Sequence, residues 1–147
     1  MTLPKQFTKE NQENILIYHY TEELVNDFTQ YIDKNRNDPD INNTELPFLL
    51  RIRCTKQTTQ KDLVKLFKVS DGYTAKLLKK FEDKEYITRK ENPENRRQKI
   101  VTLTEKGKEK TNQILTQIKT WENQHTQNLT QEETKQLKKL LYKYLEK

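Results

Sequence analysis

Apolar positions recur at helical spacing near both ends of the chain. Over residues 11–34 they predict one long helix, and beyond Gly107 they predict a second, followed by a third that a capping box of Thr130 and Glu133 begins. The apolar positions are Ile17, Leu24, Val25, Phe28, Tyr31 and Ile32 in the first, Ile114, Leu115, Ile118 and Trp121 in the second, and Leu137, Leu140, Leu141, Tyr144 and Leu145 in the third. A small core cannot cover helices this long, so we expect both ends of the chain to form a dimer interface.

Three shorter helices are predicted between these ends. Thr44 is the expected cap of one, with Pro47 in its first turn, and Thr59 is the expected cap of the next, with Asp62 as its capping-box partner. Ser70 is expected to cap a helix that runs to about residue 83. The positions predicted to face the core are Leu46, Leu49, Leu50 and Ile52, then Leu63, Leu66 and Phe67, and finally Thr74, Leu77, Leu78 and Phe81. Only Lys68 and Val69 separate the last two helices, which is typical of a helix-turn-helix.

A β-hairpin is predicted next. Residues 86–91 (YITRKE) and 98–103 (QKIVTL) have the β-branched and aromatic composition of strands, and residues 92–97 (NPENRR) form a basic turn between them. Residues 35–43 (NRNDPDINN) are the one clear loop. The order predicts a mainly α fold with a small β-hairpin wing in one domain, 1–147. The winged helix-turn-helix core spans 44–106, and the dimerisation helices span 11–34 and 107–147.

Composition excludes several classes of protein. Two glycines are too few for a dinucleotide-binding fingerprint or a phosphate-binding loop, and one cysteine excludes a disulfide framework. Because we find neither a membrane-spanning apolar run nor the apolar core of a signal peptide, we expect a soluble, cytoplasmic protein with no membrane partner.

The basic excess is concentrated in the middle of the chain. The net charge is +6, of which residues 56–108 carry +7, residues 1–55 carry −3 and residues 109–147 carry +2. Such a segment indicates a polyanion partner, while a lysine-rich solvated surface is the alternative.

Residues 59–107 resemble the core signature of the MarR (multiple antibiotic resistance regulator) family of transcription factors. The most specific stretches are VTLTEKG and NPENRR, and LTQEE near residue 130 fits the last helix of that family. The resemblance implies a homodimeric regulator, commonly a repressor, that binds a pseudo-palindromic double-stranded operator. It implies neither a cofactor nor a metal, but a small phenolic or aromatic effector in a crevice beside the dimerising helices. Candidates to line that crevice, or simply core residues, are Tyr18, Tyr20, Phe28, Tyr31, Phe48 and Trp121.

A recognition helix starting at Ser70 would present its outer side to the major groove. We expect Tyr73 and Lys76 to contact base edges, and Gly72 to permit close approach of the helix. Arg97, with Arg96 beside it, is expected at the minor groove. The complete set of expected DNA-binding residues is Thr59, Ser70, Asp71, Gly72, Tyr73, Lys76, Lys79, Lys80, Arg96, Arg97 and Lys99.

The sequence departs from the family pattern at three positions. Asn95 stands where Asp is usual, so the interaction that orients Arg97 becomes at best a neutral hydrogen bond. Glu85 replaces a usual Gly, so we expect the backbone there to avoid positive φ. Val64 replaces a frequent Ala, a tolerable increase in size.

Other functions are less well supported. No catalytic constellation is evident, and His19 and His125 lie in different predicted helices, as surface or interface residues or as parts of an inter-helix zinc site. Cys54, near Arg51, Arg53 and Lys56, is either an inert thiol or a redox switch. A winged-helix interaction protein that has lost DNA binding is the remaining alternative.

Overall fold

A computed structural model describes residues 3–35 and 39–146. The elements are α1 (Ile17–Asn35), α2 (Leu46–Cys54), β1 (Thr58–Thr59), α3 (Gln60–Phe67), α4 (Asp71–Asp83), β2 (Ile87–Asn92), β3 (Asn95–Leu103), α5 (Glu105–His125), a 3-10 turn (Thr126–Asn128) and α6 (Gln131–Leu145). The three strands form one antiparallel sheet in the order β1-β3-β2. This mainly helical fold with a small β wing confirms the predicted class.

The chain divides into two compact units, one that ends at Ile114 and one that begins at Leu115. The first holds the helix-turn-helix, the sheet and α1, and its core includes Ile32, Leu49, Leu78, Phe81 and Val101. In the second, α6 has no buried residue among those described. No helix in the described part of the chain is long and apolar enough to cross a membrane.

The first helix begins at Ile17, so the predicted start at residue 11 is wrong. The preceding residues form hydrogen-bonded turns, in which Asn11 and Asn14 bond through their side chains and the Asn11 amide also donates to the Gln6 carbonyl. Such local side-chain bonds compete with helix formation, which the apolar spacing could not reveal.

The predicted cap of α2 is also wrong. The N-cap position is Glu45, which makes no side-chain capping hydrogen bond, and Thr44 lies before it. In the preceding turn, Asn42 Oδ1 accepts the N–H groups of Thr44 and Glu45 at 3.0 and 2.9 Å. The Thr44 hydroxyl itself donates to Asn42, and the helix begins at Leu46 with Pro47 in its first turn. Of the loop predicted over 35–43, residues 36–38 lie outside the described chain.

The helix-turn-helix is confirmed. Thr59 and Asp62 form the predicted capping box of α3, and Ser70 caps α4 by accepting the Tyr73 N–H. The four core positions of α4 are buried: Thr74, Leu77, Leu78 and Phe81. In α3, Phe67 stacks on Phe48, with 4.0 Å between the ring centroids. Leu66, which was predicted to face the core, is 47 % exposed.

The hairpin of β2 and β3, here called the wing, has a tighter turn than predicted. Only Pro93 and Glu94 separate the strands, so Arg96 and Arg97 belong to β3 instead of the turn. Residues 96–98 lie between the pairs Glu91↔Lys99 and Asn92↔Asn95 and form a β-bulge. The unpredicted strand β1 pairs Thr58 with Val101 and Thr59 with Ile100.

Glu85 adopts φ 61°, so the expectation of a negative φ there is wrong. Around it, the Glu85 N–H donates to the Glu82 carbonyl and the Tyr86 N–H to the Phe81 carbonyl. This is the Schellman arrangement that ends a helix through one left-handed residue, commonly Gly. The turn from α4 to β2 therefore requires positive φ whichever residue occupies it.

Candidate nucleic-acid interface

The recognition helix α4 has one buried and one exposed side. Opposite its four buried positions lie exposed residues that belong to the predicted DNA-binding set: Asp71, Gly72, Tyr73, Lys76 and Lys79. A Cβ atom added at Gly72 would meet nothing within 4 Å, so this side of the first turn is open. In the described chain no ion pair engages Lys76. The start of α4 is thus accessible to a large ligand.

A groove of about 640 Å³ separates the starts of α3 and α4 from the wing. It brings together four of the predicted site residues, Thr59, Asp71, Arg97 and Lys99. Arg97 and Lys99 have no ion-pair partner among the described residues, whereas Asp71 carries one negative charge. The groove therefore has a basic wall at the wing and hydrogen-bonding groups at the helix starts.

The two wing arginines stand on the bulge of β3. Both are exposed, and bulges commonly redirect side chains beside functional sites. Asn95 Oδ1 accepts the backbone N–H of Arg97 at 3.2 Å. The donor is the backbone N–H rather than the guanidinium, so this is not the expected hydrogen bond that would orient the Arg97 side chain. Asn95 thus fixes the bulge but does not hold the charged group.

The hydroxyl groups of the site already serve as helix caps. Thr59 Oγ1 donates to Asp62 Oδ2 at 2.7 Å and accepts the Asp62 N–H at 3.2 Å. Ser70 Oγ accepts the Tyr73 N–H at 3.2 Å, which leaves its own hydrogen available for a further acceptor. Ser70 is therefore the better placed of the two to donate to a phosphate.

Tyr73 is held against the core on one side of its ring. It meets Phe48 edge-on, with 6.1 Å between ring centroids, and keeps 40 % of its surface exposed. An aromatic side chain that is both supported and accessible suits direct contact with a base, because little rotamer freedom remains to be lost on binding.

The two lysines near the end of α4 differ in their surroundings. Lys79 is exposed and pairs with Asp83 on its own helix. Lys80 is half-buried, and its Nζ lies 2.6 Å from Oε2 of the buried Glu45. The sequence placed both on the outer side of the helix, but Lys80 is engaged inside the protein.

Arg89 is a groove residue that the sequence analysis missed. Its Nε and Nη2 donate to Glu82 Oε2 at 3.1 and 2.5 Å, and the hydrogen bond from Arg89 lowers the pKa of Glu82. The pair ties the end of α4 to β2, and Arg89 lines the groove. The two residues lie seven positions apart, one on a helix and one on a strand, so no local spacing in the sequence signals the pair.

Other candidate chemistry is dispersed. Within residues 3–35 and 39–146, no cluster of three or more His, Cys, Asp or Glu residues could hold a metal. His19 bonds Glu22, His125 bonds the Trp121 carbonyl, and Cys54 is exposed.

The aromatic residues proposed for an effector crevice have separate partners. Phe48 packs with Phe67 and Tyr73, Tyr20 meets Phe7 edge-on, and Trp121 lies beside His125. A second groove of about 640 Å³ contains none of them, and its lining includes Arg53, Lys56, Glu105, Lys108 and Glu109.

Comparisons with known proteins agree with this geometry. The model of the MarR family matches residues 41–99. The HTH-type transcriptional regulator BilQ of Clostridium symbiosum (strain WAL-14163) is 27 % identical over 125 residues, which cover 85 % of this chain and 87 % of BilQ. A crystal structure of MarR superposes with a TM-score of 0.78 at 25 % identity and covers 90 % of each chain. A cysteine-to-serine variant of MarR from E. coli, crystallised with operator DNA, shares the fold with a TM-score of 0.71 at 24 % identity, over 95 % of this chain and all of that one.

Proposed function

Since the chain belongs to the MarR family of transcriptional regulators, we propose that it binds double-stranded DNA through α4 and the wing. The observation that carries this proposal is the groove between the start of α4 and the wing, which Arg97 and Lys99 line. Neither of these two side chains forms an ion pair with a described residue. The related MarR variant was crystallised with operator DNA on the same fold. We propose further that the protein acts as a homodimer on a pseudo-palindromic operator.

Each part of the site has a distinct proposed role. Tyr73 and Lys76 contact base edges in the major groove, where sequence is read. Ser70, Thr59 and Lys79 contact phosphates, and Arg97 with Arg96 enters the minor groove, where narrow A·T-rich segments attract guanidinium groups. The open surface at Gly72 allows the helix start to approach the DNA.

The first test is a titration of fluorescent duplex DNA from the region upstream of the protein's own gene. If on the order of eight phosphates are neutralised per dimer, the logarithm of the binding constant should fall with log salt at a slope of about −7. A slope near zero would contradict the electrostatic site. No binding at any salt concentration would favour the alternative, a winged-helix interaction protein that has lost DNA binding. This alternative is tested because Asn95 bonds the backbone of Arg97 and not its guanidinium.

Three variants then separate the roles of the site residues. Arg97→Ala should weaken binding to every duplex and reduce the salt slope by about one per subunit. Tyr73→Ala and Lys76→Ala should instead change which sequences are preferred, as a selection from random duplexes would reveal. Lys135→Ala, on the exposed part of α6, is the matched control. Unchanged binding by all three site variants would reject the assignment.

Regulation is proposed at a coarser level. We propose that the protein represses transcription and that a small aromatic anion relieves this repression, since release of DNA on ligand binding is typical of this family. Its test is a screen of phenolic acids for release of prebound operator DNA. Release by none of them would reject this class of effector.

A further inference from the structure

The end of the recognition helix is joined to residues 39–45, here called the 39–45 segment, by two ion pairs. Lys80 Nζ lies 2.6 Å from Glu45 Oε2, and Lys84 Nζ lies 2.6 Å from Asp40 Oδ1. Lys84 is the C-cap residue of α4. Both lysines therefore connect the part of α4 farthest from the groove to residues about 40 positions earlier in the chain.

The Lys80–Glu45 pair is the more enclosed of the two. The Glu45 side chain is 11 % exposed, and its carboxylate also accepts the Asn42 N–H at 3.1 Å. Desolvation makes the loss of one partner costly, because the other charge is left in a poorly hydrated place. The exposed pair of Lys79 and Asp83 lacks this property.

The 39–45 segment is itself anchored on both sides. Ile41 is 1 % exposed, and the Asn43 amide donates to Asp33 Oδ1 of α1 at 2.8 Å. Asp40 also accepts the Tyr86 hydroxyl, at 3.5 Å. The segment thus forms a continuous connection from α1 to α4 and to the residue before β2.

We propose that Lys80 and Lys84 are positioning residues, which fix the angle of the recognition helix through Glu45 and Asp40 and do not bind DNA phosphates. This inference rests on the proposed DNA-binding function. Base contacts at the start of α4 depend on the direction of the helix axis, so a loosened end displaces Tyr73 and Lys76 at the start. Sequence-specific binding is then lost, while nonspecific attraction to phosphates is retained.

Substitution of the acidic partners distinguishes a positioning role from a phosphate-binding role, because the two roles predict opposite changes in affinity for the operator. Glu45→Gln and Asp40→Asn each remove a negative charge and keep the shape of the side chain. Electrostatics alone predicts stronger DNA binding by both variants, since repulsion from phosphates decreases. A positioning role predicts weaker binding to the operator, by about tenfold, with no loss on a nonspecific duplex. Asp83→Asn on the exposed pair is the matched control and should leave operator binding unchanged or slightly stronger.

The lysine variants supply a second readout. Lys80→Met and Lys84→Met should weaken operator binding to the same degree and leave the salt slope of the wild type unchanged. A phosphate-binding lysine would reduce that slope by about one per subunit, as Arg97→Ala is expected to do. Circular dichroism at the assay temperature verifies that each variant is folded. If Glu45→Gln does not fold, the test is made with Asp40→Asn and Lys84→Met, which change the more exposed of the two pairs.

The outcomes separate this inference from the proposed function. Weaker operator binding by Asp40→Asn and Glu45→Gln, at an unchanged slope for the lysine variants, supports the positioning role. Stronger binding by the acidic variants, or a reduced slope for Lys80→Met, overturns it and assigns the lysines to phosphates. A wild-type protein that binds no duplex overturns the proposed function itself.

Discussion

Glu85 occupies a backbone conformation that most side chains avoid. Its φ of 61° is imposed by the hydrogen bonds that close the end of α4, and its carbonyl accepts the Thr104 hydroxyl at 2.5 Å. The side chain adds only an exposed ion pair with Lys106 at 3.3 Å. An L-residue in this region costs about 1–2 kcal/mol, and an exposed pair of this kind returns little of that.

Glu85→Gly should therefore stabilise the protein by about 1 kcal/mol, because glycine adopts positive φ without a steric penalty and the gain exceeds its higher chain entropy. The expected rise in Tm is about 3 °C at a fixed protein concentration. Glu85→Ala is the control, since it removes the carboxylate and keeps the strain, and it should leave Tm nearly unchanged. A lower Tm for both variants would mean that the carboxylate contributes more than the backbone.

The Glu82–Arg89 pair makes the stability of the folded protein depend on pH. The hydrogen bond from Arg89 lowers the pKa of Glu82 from its ordinary value of 4.5, while desolvation opposes this and the charge of Arg89 adds to it. Because the pKa of Glu82 is lower in the folded state, the pair stabilises the protein above a pH of about 4.5. This stabilisation is lost as the pH falls through the pKa of Glu82 in the folded protein.

Glu82→Gln should accordingly be less stable than the wild type near pH 6, and the difference between the two should shrink as the pH falls below about 4.5. Thermal denaturation across this range measures the difference in Tm. Other carboxyls with lowered pKa, such as Asp40 and Glu133, titrate in both proteins, so their effects cancel in the difference. A difference that stays constant with pH would show that packing, rather than charge, makes the pair stabilising.

Two adjacent lysines of α4 show what the local sequence pattern cannot specify. Lys79 and Lys80 occupy one basic stretch, and helical spacing assigned both to the outer side. Only the fold brings the buried Glu45, which lies 35 positions earlier, against one of them. A partner at that separation leaves no mark on the local pattern.

The two glycines, one in α4 and one in α5, have opposite surroundings. Gly107 lies in the first turn of α5, where an added Cβ would stand 2.0 Å from the Tyr86 carbonyl oxygen and 3.1 Å from a Leu103 methyl group. The same carbonyl accepts the Thr104 N–H, so it cannot move freely. The glycine of the VTLTEKG stretch is thus explained by the close approach of α5 to the start of β2.

Gly107→Ala should destabilise the protein by about 3 kcal/mol, since the clash with backbone exceeds the gain in helix propensity. Gly72→Ala, on the open side of α4, should instead be neutral or stabilising by up to about 1 kcal/mol. If the helix start lies close to DNA as proposed, the same Gly72→Ala variant should bind the operator more weakly. Urea denaturation and the duplex titration measure the two effects separately, and equal stability of the two alanine variants would refute the packing argument.

Local signals predicted most elements, and long-range pairing accounts for the errors. The capping boxes at Thr59 and Thr130 formed as expected, because each depends on residues three positions apart. Strand β1 has only two residues and exists because it pairs with β3, about 40 positions later. The bulge that displays Arg96 and Arg97 likewise depends on the register of β2 against β3, so the arginines were recognised while their setting was not.

Each compact unit exposes apolar side chains on a terminal helix. In the first unit, Ile17, Leu24 and Val25 of α1 are 54, 45 and 58 % exposed. In the second unit, the exposed residues of α6 recur at the spacing of one helical face: Leu137, Leu140, Leu141, Tyr144 and Leu145. Soluble monomers seldom expose so continuous an apolar stripe, which supports the proposed homodimer.

The stripe on α6 provides a test of that dimer that does not disturb the folded chain. Leu140 is 54 % exposed and contributes little to the folding of its own subunit, so Leu140→Glu should leave the helix content unchanged. Burying the new carboxylate in an apolar interface should raise the dimer dissociation constant by about a hundredfold or more. Lys139→Glu changes the charge by a larger amount on the opposite side of the helix and should not affect assembly. Sedimentation equilibrium measures both, and operator binding should fall with the dimer fraction because a pseudo-palindrome needs two recognition helices. A wild type that is monomeric at micromolar concentration, or a Leu140→Glu variant that remains as dimeric as Lys139→Glu, would require another partner for this face.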